Sequence, residues 1–247
     1  MDINAQQDAF SQNEKLLYSQ FRRKISSEAA RAQIKKLEYD LADVKAGVSY
    51  LKTACADASA LGLGAVCVFP NFVRRCSSLL GTKRKCSLVA CISSPNGGDV
   101  TKIKVKAVKQ AIKDGADEVE VSAPLAHVRD GNYVYIKKEI RKIRAASKHK
   151  SFRLRLNCAN LTREEIVRLC VVAADCGVNA VSLSGLNCVE YIADAKTAVK
   201  NKCIIKSEGA ATVLEMSSAV DLGASTIGSN NAADVARAII TAAEGEF

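Results

Sequence analysis

The chain has 247 residues, of which 48% are hydrophobic and 25% charged, and its formal net charge is +10. This length and apolar content suit one large domain with a substantial core. Only two histidines are present, so few residues are available for a histidine-rich metal centre or a Ser-His-Asp triad. No apolar run reaches the length of a membrane-spanning helix, and the first residues do not resemble an export signal. We therefore expect a cytoplasmic protein that does not associate with membranes.

The ten cysteines indicate buried thiols rather than a metal site or disulfides. No two of them form a C-x-x-C pair, and most lie in apolar runs, where cysteine behaves as a small hydrophobic residue. Cys67 is an example, because it stands within the apolar segment 64–69. We interpret the cysteines as reduced core residues and expect neither a metal nor a cofactor.

The first 46 residues differ in pattern from the rest of the chain. They are mostly polar and helical in type, with Ser26 or Ser27 as the N-cap of a helix that runs to Lys36. We predict a helical N-terminal extension over residues 1–46 and a separate α/β unit over residues 47–247.

From residue 61 onward, short apolar runs of strand type alternate with helical patterns, as is typical of repeated βα units on a parallel sheet. The predicted strands cover residues 64–69, 86–92, 117–122, 151–157, 179–183, 202–206 and 224–228. An eighth strand is needed to close a barrel, and the candidate is the weak stretch from Leu37 to Leu41. The pattern predicts an α/β fold, a (β/α)8 TIM barrel.

Three polar side chains stand on the predicted fourth, sixth and seventh strands, where alternate side chains point into the barrel. They are Glu120, Ser182 and Lys206. Lys206 ends an apolar run just before Glu208 and Gly209 open a loop. Polar residues near the C-terminal ends of barrel strands are typical of active sites, so we expect these three to meet near the top of the barrel.

Several blocks of sequence resemble the deoxyribose-phosphate aldolase family, class I aldolases with a (β/α)8 barrel. The likeness rests on GAVCVFPNFV at 64–73, on the stretch 91–106, and on IKDGADEVEV at 112–121 followed by Pro124 and Gly131. The resemblance implies cleavage of 2-deoxyribose 5-phosphate into glyceraldehyde 3-phosphate and acetaldehyde. It also implies a Schiff-base lysine on the sixth strand, a helper lysine on the seventh and an aspartate on the fourth.

Matched position by position, Lys206 corresponds to the helper lysine, and Glu120 takes the place of the aspartate. Ser182 stands where the Schiff-base lysine is expected, and a hydroxyl cannot form an imine with a carbonyl substrate. The family's aspartate-histidine pair near the first strand corresponds at best to Glu38 and Tyr39. The resemblance therefore implies a divergent member that lacks the defining nucleophile.

Part of a phosphate site is also implied by the resemblance. Its residues would be Gly209, Gly228, Ser229 and Asn230, in the loops after the seventh and eighth strands. Glu208 next to the first glycine would repel a phosphate dianion. For Lys206 three interpretations stay open: a buried lysine paired with Glu120 or Glu208, a ligand-binding residue, or a substitute nucleophile.

The positive charge is concentrated in residues 74–150, which hold 18 Lys and Arg against 7 Asp and Glu. Two helical segments there carry cations at i, i+4, i+7 and i+11, which places each set on one helix face. The sets are Lys102, Lys106, Lys109 and Lys113, and Lys137, Arg141, Arg144 and Lys148. Adjacent helices would put both sets on the outer wall, either as a solvated face or as a surface for an acidic partner.

Two functional hypotheses follow. The first is a barrel without aldolase activity that binds an acidic protein, with actin filaments as the leading example. Nucleic acid fits the charge less well, because aromatic residues for base stacking are few, and a homodimer is a further alternative. The second hypothesis is an active class I lyase that uses Lys206 on 2-deoxyribose 5-phosphate or a related aldol.

Overall fold

Eight short apolar segments form a closed barrel of parallel strands in the computed structural model, which describes residues 27–42 and 47–244. The strands follow one another around the barrel in sequence order. They are β1 Leu37–Asp40, β2 Ala65–Val68, β3 Ser87–Ile92, β4 Glu118–Ser122, β5 Ser151–Asn157, β6 Ala180–Ser184, β7 Ile204–Glu208 and β8 Thr226–Ser229. The predicted TIM barrel is confirmed.

Helices return the chain from the end of each strand to the start of the next, because parallel neighbours cannot be joined by a tight turn. They are α1 Ser27–Ile34, α2 Val48–Leu61, α3 Val73–Leu80, α4 Thr101–Lys113, α5 Leu125–Arg129, α6 Tyr133–Ala146, α7 Arg163–Asp175, α8 Ile192–Val199, α9 Val213–Asp221 and α10 Ala232–Glu244. Among the described residues, none of these helices combines the length and apolar character that a bilayer crossing requires.

Two predicted boundaries need correction. The stretch beginning at Leu37 is strand β1 and closes the barrel against β8, so the barrel starts before the expected boundary between residues 46 and 47. Helix α1 lies in the segment predicted as an extension, while residues 1–26 and 43–46 lie outside the described part of the chain. The seventh strand also runs further than predicted, because Glu208 pairs with Gly228 on β8 instead of opening a loop.

The strands alternate strictly between two environments. One face carries apolar side chains such as Val119, Val121 and Leu154, which are buried in the main core under the helices. The other face points into the lumen and carries most of the buried charged groups. Gly64 permits the turn into β2, because a Cβ there would lie 2.1 Å from the Lys35 carbonyl oxygen.

A buried ion pair joins α4 and α6 behind β4. Lys104 is fully buried, and its Nζ donates to Glu139 Oε1 at 2.7 Å and to the Ser122 carbonyl at 3.2 Å. Glu139 accepts a second hydrogen bond from Thr101 Oγ1 at 2.8 Å. Burial lowers the pKa of Lys104, and Glu139 opposes that shift. The two charges therefore depend on each other, since either one alone would be a desolvated ion.

We predict that Lys104→Met destabilises the fold by about 3 to 5 kcal/mol, because it leaves Glu139 as an unpaired buried charge. The double variant Lys104→Met/Glu139→Leu should recover most of that loss. Lys106→Met, on the exposed face of the same helix, should change stability by no more than about 0.5 kcal/mol. Urea unfolding of the three variants tests this, and equal losses in the single and double variants would contradict it.

Candidate active site at the top of the barrel

The three residues that the sequence singled out lie together in the lumen. Ser182 on β6 and Lys206 on β7 are direct neighbours in the strand register. Lys206 Nζ lies 3.0 Å from Glu120 Oε2 on β4. All three side chains are fully buried.

Lys206 is surrounded by carboxylates. Its Nζ lies 2.5 Å from Glu38 Oε1, 3.0 Å from Glu120 Oε2 and 3.0 Å from Glu208 Oε1. Burial alone would lower the pKa of Lys206, but Glu120, Glu208 and Glu38 together raise it well above its ordinary value. The amine is therefore held as a cation at neutral pH, with hydrogen bonds to Glu38 and Glu120 and an ion pair with Glu208.

Ser182 offers no replacement for a nucleophilic amine. Its hydroxyl donates to Glu208 Oε1 at 3.3 Å, while Ser184 on the same strand donates to the Leu156 carbonyl at 3.0 Å. Both hydroxyls are thus used in local hydrogen bonds within the lumen, and a hydroxyl, unlike an amine, cannot form an imine with a carbonyl substrate.

Two arginines on β5 belong to the same cluster. Arg153 Nη1 lies 2.5 Å from Glu38 Oε2, and its Nη2 lies 2.8 Å from Glu118 Oε2. The sequence analysis missed both Arg153 and Arg155. Their signal is the alternation in SFRLRLN, in which the arginines occupy every second position between buried apolar residues.

Arg155 closes the space above Ser182. It forms a bidentate ion pair with Glu208, in which Nη2 lies 2.6 Å from Oε2, and its Nη1 lies 2.7 Å from Glu120 Oε1. Asp40 Oδ2 on β1 lies 4.0 Å from the same Nη1. The Arg155–Glu208 pair lies beside Ser182, which is the register neighbour of Arg155 and donates to Glu208.

Among the residues that the structure describes, the lumen contains more carboxylates than cations. Five acids (Glu38, Asp40, Glu118, Glu120 and Glu208) face three bases (Lys206, Arg153 and Arg155). The pKa of Glu120 stays below its usual range, because Lys206 and the arginines outweigh the effect of burial. Burial raises the pKa of Asp40, and it raises that of Glu208 to about 7 against the opposing effect of Lys206. Glu208 is thus a group in this cluster that titrates near neutral pH.

A cavity of about 680 Å³ opens above the cluster at the C-terminal ends of the strands. Its lining includes all four residues of the predicted phosphate site: Gly209, Gly228, Ser229 and Asn230. The N–H of Gly209, however, donates to the Gly228 carbonyl at 2.9 Å, and the carboxylates of Asp40 and Glu208 line the same cavity. A phosphate dianion would therefore meet two carboxylates at this mouth, and the cation that lines it, Arg155, is already paired with Glu120 and Glu208.

The two predicted cationic sets lie on the side wall, away from the mouth. Six of the eight side chains are exposed, and Lys137 and Arg144 are half-buried. Arg144 Nη1 donates to the carbonyls of Lys148 and Lys150 at 3.3 Å, so it is partly engaged by its own chain. A groove of about 540 Å³ lies between α4 and α6, with Val105 in its floor and Lys142 at its rim.

We predict that folding stability falls as pH rises from about 4.5 to about 7. The pKa of Glu208 is near its ordinary 4.5 in the unfolded chain and about 7 in the fold, so the protonated form favours the folded state. The total change is on the order of 3 kcal/mol. Asp40 contributes in the same direction, whereas the lowered pKa values of Glu38 and Glu120 affect stability only below that window. Unfolding free energies from urea titrations at several pH values should show a flatter profile for Glu208→Gln, and identical profiles would contradict the assignment.

Comparison with known proteins agrees with this architecture. The model of the DeoC/LacD family aldolases matches residues 24–167. Deoxyribose-phosphate aldolase 1 of Vibrio vulnificus is 30% identical over 200 residues, which is 78% of this chain and 91% of the relative. Deoxyribose-phosphate aldolase of Clostridium botulinum (strain Kyoto / Type A2) is 32% identical over 181 residues, covering 70% of this chain and 84% of the relative.

Solved structures show the same fold. The aldolase QR15 superposes with a TM-score of 0.80 at 20% identity, covering 87% of this chain and 98% of that chain. The deoxyribose phosphate aldolase of Aeropyrum pernix superposes with a TM-score of 0.78 at 17% identity, covering 87% and 93%. With its barrel, the matched family model and relatives of this similarity, the chain belongs to the DeoC/LacD family of aldolases.

Proposed function

We propose that this chain keeps the barrel of the deoxyribose-phosphate aldolases without their Schiff-base chemistry, and that it acts by binding. The observation that carries this proposal is the ammonium of Lys206, which is held by Glu38, Glu120 and Glu208 at 2.5 to 3.0 Å. The neighbouring position, Ser182, has no amine.

Schiff-base formation needs a neutral amine, which this environment disfavours. At an ordinary lysine pKa of about 10.4, roughly 1 in 2,500 amines is neutral at pH 7. Glu120, Glu208 and Glu38 raise the pKa of Lys206 further and make that fraction smaller. Removing the proton would also leave these carboxylates with less compensation inside the barrel. A second lysine at position 182 would have the opposite effect.

An active class I lyase that uses Lys206 is the second candidate, and the comparisons favour it over the first. The relatives described above carry aldolase names, and none of these findings supports a loss of activity or a role in actin binding. One feature of the site also favours it. Glu208 has a pKa of about 7, so one of the three partners of Lys206 is neutral in part of the molecules near neutral pH.

Trapping with borohydride separates the two candidates. We expect no reduced adduct when the chain is incubated with acetaldehyde or glyceraldehyde 3-phosphate and analysed by intact mass. We also expect no turnover of 2-deoxyribose 5-phosphate in a coupled assay, because loss of the nucleophile costs on the order of 10⁴- to 10⁶-fold. Lys206→Met is the matched control. An adduct in the unmutated chain that disappears in Lys206→Met would establish the lyase instead.

Restoring the lysine extends the same test. Ser182→Lys alone should recover little activity, because the Arg155–Glu208 pair occupies the adjoining space and Glu208 opposes a phosphate. Ser182→Lys/Glu208→Ala removes both obstacles and should recover more. Full activity in the single variant would show that the remaining site is intact.

For the binding role, we propose that the cationic wall of α4 and α6 engages an acidic protein. Support comes from its charge and from the groove between the helices, where Lys102, Lys109 and Lys142 surround an apolar floor. Actin filaments remain the leading example of such a partner. Nucleic acid is the weaker alternative partner. In a further alternative, the partner is a second copy of this chain, and the two copies form a homodimer.

We predict that replacing Lys106, Lys109, Arg141 and Lys142 by glutamate abolishes binding to actin filaments in cosedimentation. Lys142 is chosen over Arg144, because Arg144 is engaged by backbone carbonyls. Binding by the unmutated chain should weaken steeply with salt, since exposed charges are screened beyond roughly 8 Å at physiological ionic strength.

Two controls distinguish binding by the cationic wall of α4 and α6 from nonspecific attraction to a positively charged protein. Lys52→Glu/Lys200→Glu reverses two exposed lysines outside α4 and α6, and it should bind as the unmutated chain does. Ser182→Ala, inside the lumen, should also bind normally. If the fourfold variant still cosediments, the wall is an ordinary solvated surface. A shift assay with nucleic acid tests the nucleic-acid alternative, and sedimentation velocity tests the homodimer.

A further inference from the structure

Two thiols lie in the lumen beside Glu120, a carboxylate of the ion cluster. Cys67 on β2, Cys91 on β3 and Glu120 on β4 come from three consecutive strands, and all three side chains are fully buried. Their ligand atoms, two Sγ and one carboxylate oxygen, all lie within 4.8 Å of one another. Among the residues that the structure describes, this is the one group of three or more such side chains with this spacing.

The spacing is close to that of ligands on one tetrahedral ion. Zinc binds thiolates at about 2.3 Å and carboxylates at about 2.0 to 2.2 Å, which separates neighbouring tetrahedral ligand atoms by about 3.5 to 3.8 Å. The cysteines stand on rigid, hydrogen-bonded strands, in register with Val89 and Glu120. The observed bound of 4.8 Å exceeds that separation by about 1 Å, so the three ligand atoms must draw closer together to bind one ion.

Glu120 can bind an ion without giving up its present partners. Its Oε1 accepts from Arg155 at 2.7 Å and its Oε2 accepts from Lys206 at 3.0 Å, while Arg153 Nη1 lies 3.9 Å from Oε2, beyond hydrogen-bond length. Each carboxylate oxygen has two lone-pair sites, so one remains on each oxygen. The existing hydrogen bonds then orient the carboxylate, as outer partners do for metal ligands in general.

The charge of the complex suits this part of the barrel. A divalent ion that replaces the two thiol protons and binds Glu120 forms a unit of net charge −1, the charge that Glu120 has by itself. Lys206 lies near Cys67 and Arg155 lies near Cys91, so the two cations would stabilise that unit rather than repel it. Without an ion, the pKa of Cys67 lies well above its ordinary value, because a hydrogen bond with Cys91, burial, Glu38 and Asp40 outweigh the opposing effect of Lys206, so the ion must displace a thiol proton.

The sequence analysis did not predict a metal, because the three ligands are 24 and 29 residues apart and lack the short spacing of zinc motifs. Only the parallel order of β2, β3 and β4 brings them together. Thiolate ligands select soft or borderline ions over magnesium and calcium.

We propose that Cys67, Cys91 and Glu120 form a binding site for a thiophilic divalent cation such as zinc. The proposal rests on the geometry of these strands and does not depend on whether the chain is an aldolase.

Cobalt(II) and cadmium(II) are suitable probes, added to the reduced full-length chain in a buffer without chelators. We expect one ion per chain by elemental analysis after desalting, with thiolate-to-metal charge-transfer bands of the intensity of two thiolates. Cys67→Ser and Cys91→Ser should each weaken binding by at least about 10-fold. Glu120→Gln should weaken it and keep the charge-transfer bands.

Cys55→Ser is the matched control, because Cys55 is also buried and hydrogen-bonds another cysteine, Cys76, outside the lumen. It should bind like the unmutated chain. Unchanged binding in Cys67→Ser would overturn the proposal, and so would cobalt binding without charge-transfer bands in the unmutated chain. The second outcome needs no variant, so it decides the question even if a cysteine variant fails to fold.

Discussion

The contacts between Lys206 and its three carboxylates are the constraint on which the rest of the site depends. Glu38, Glu120 and Glu208 come from β1, β4 and β7, so one ammonium links strands that are far apart in sequence. Each ion is desolvated and would be costly alone. Arg153 and Arg155 on β5 also neutralise these carboxylates. The charged groups in the lumen therefore depend on one another.

This arrangement has a chemical consequence for the amine. A lysine becomes nucleophilic when a neighbouring cation or an apolar pocket lowers its pKa, whereas the neighbours of Lys206 are anions that raise it. The carboxylates that balance the buried cations of the lumen also keep the amine of Lys206 protonated. Glu208 is the exception within the cluster, because burial raises its pKa to about 7 and its charge therefore varies near neutral pH.

The chemistry of the lumen and the charge of the surface are separated by the barrel wall. Helix α4 shows both sides of this division, since Lys104 points inward to Glu139 while Lys106 and Lys109 point to solvent. A change in the outer cations leaves the ion cluster untouched, and a change in the lumen leaves the wall untouched. Binding at the surface and any reaction at the mouth can therefore vary independently in this fold.

Much of the fold could be read from the sequence, because apolar runs and helical spacing are local properties. The seven strands, the eighth near Leu37, and the inward positions of Glu120, Ser182 and Lys206 follow from periodicity, and the missing lysine at position 182 is visible in the sequence itself. The pairing of Lys206 with Glu120 or Glu208 was one interpretation of the sequence, whereas the tertiary structure alone decided the other contacts. Register and strand order bring Arg155 onto Glu208, bury Lys104 against Glu139, and place Cys67 beside Cys91. The residues in these pairs are between 24 and 53 positions apart in the sequence. A local sequence pattern cannot indicate such contacts, because they form only when the barrel closes.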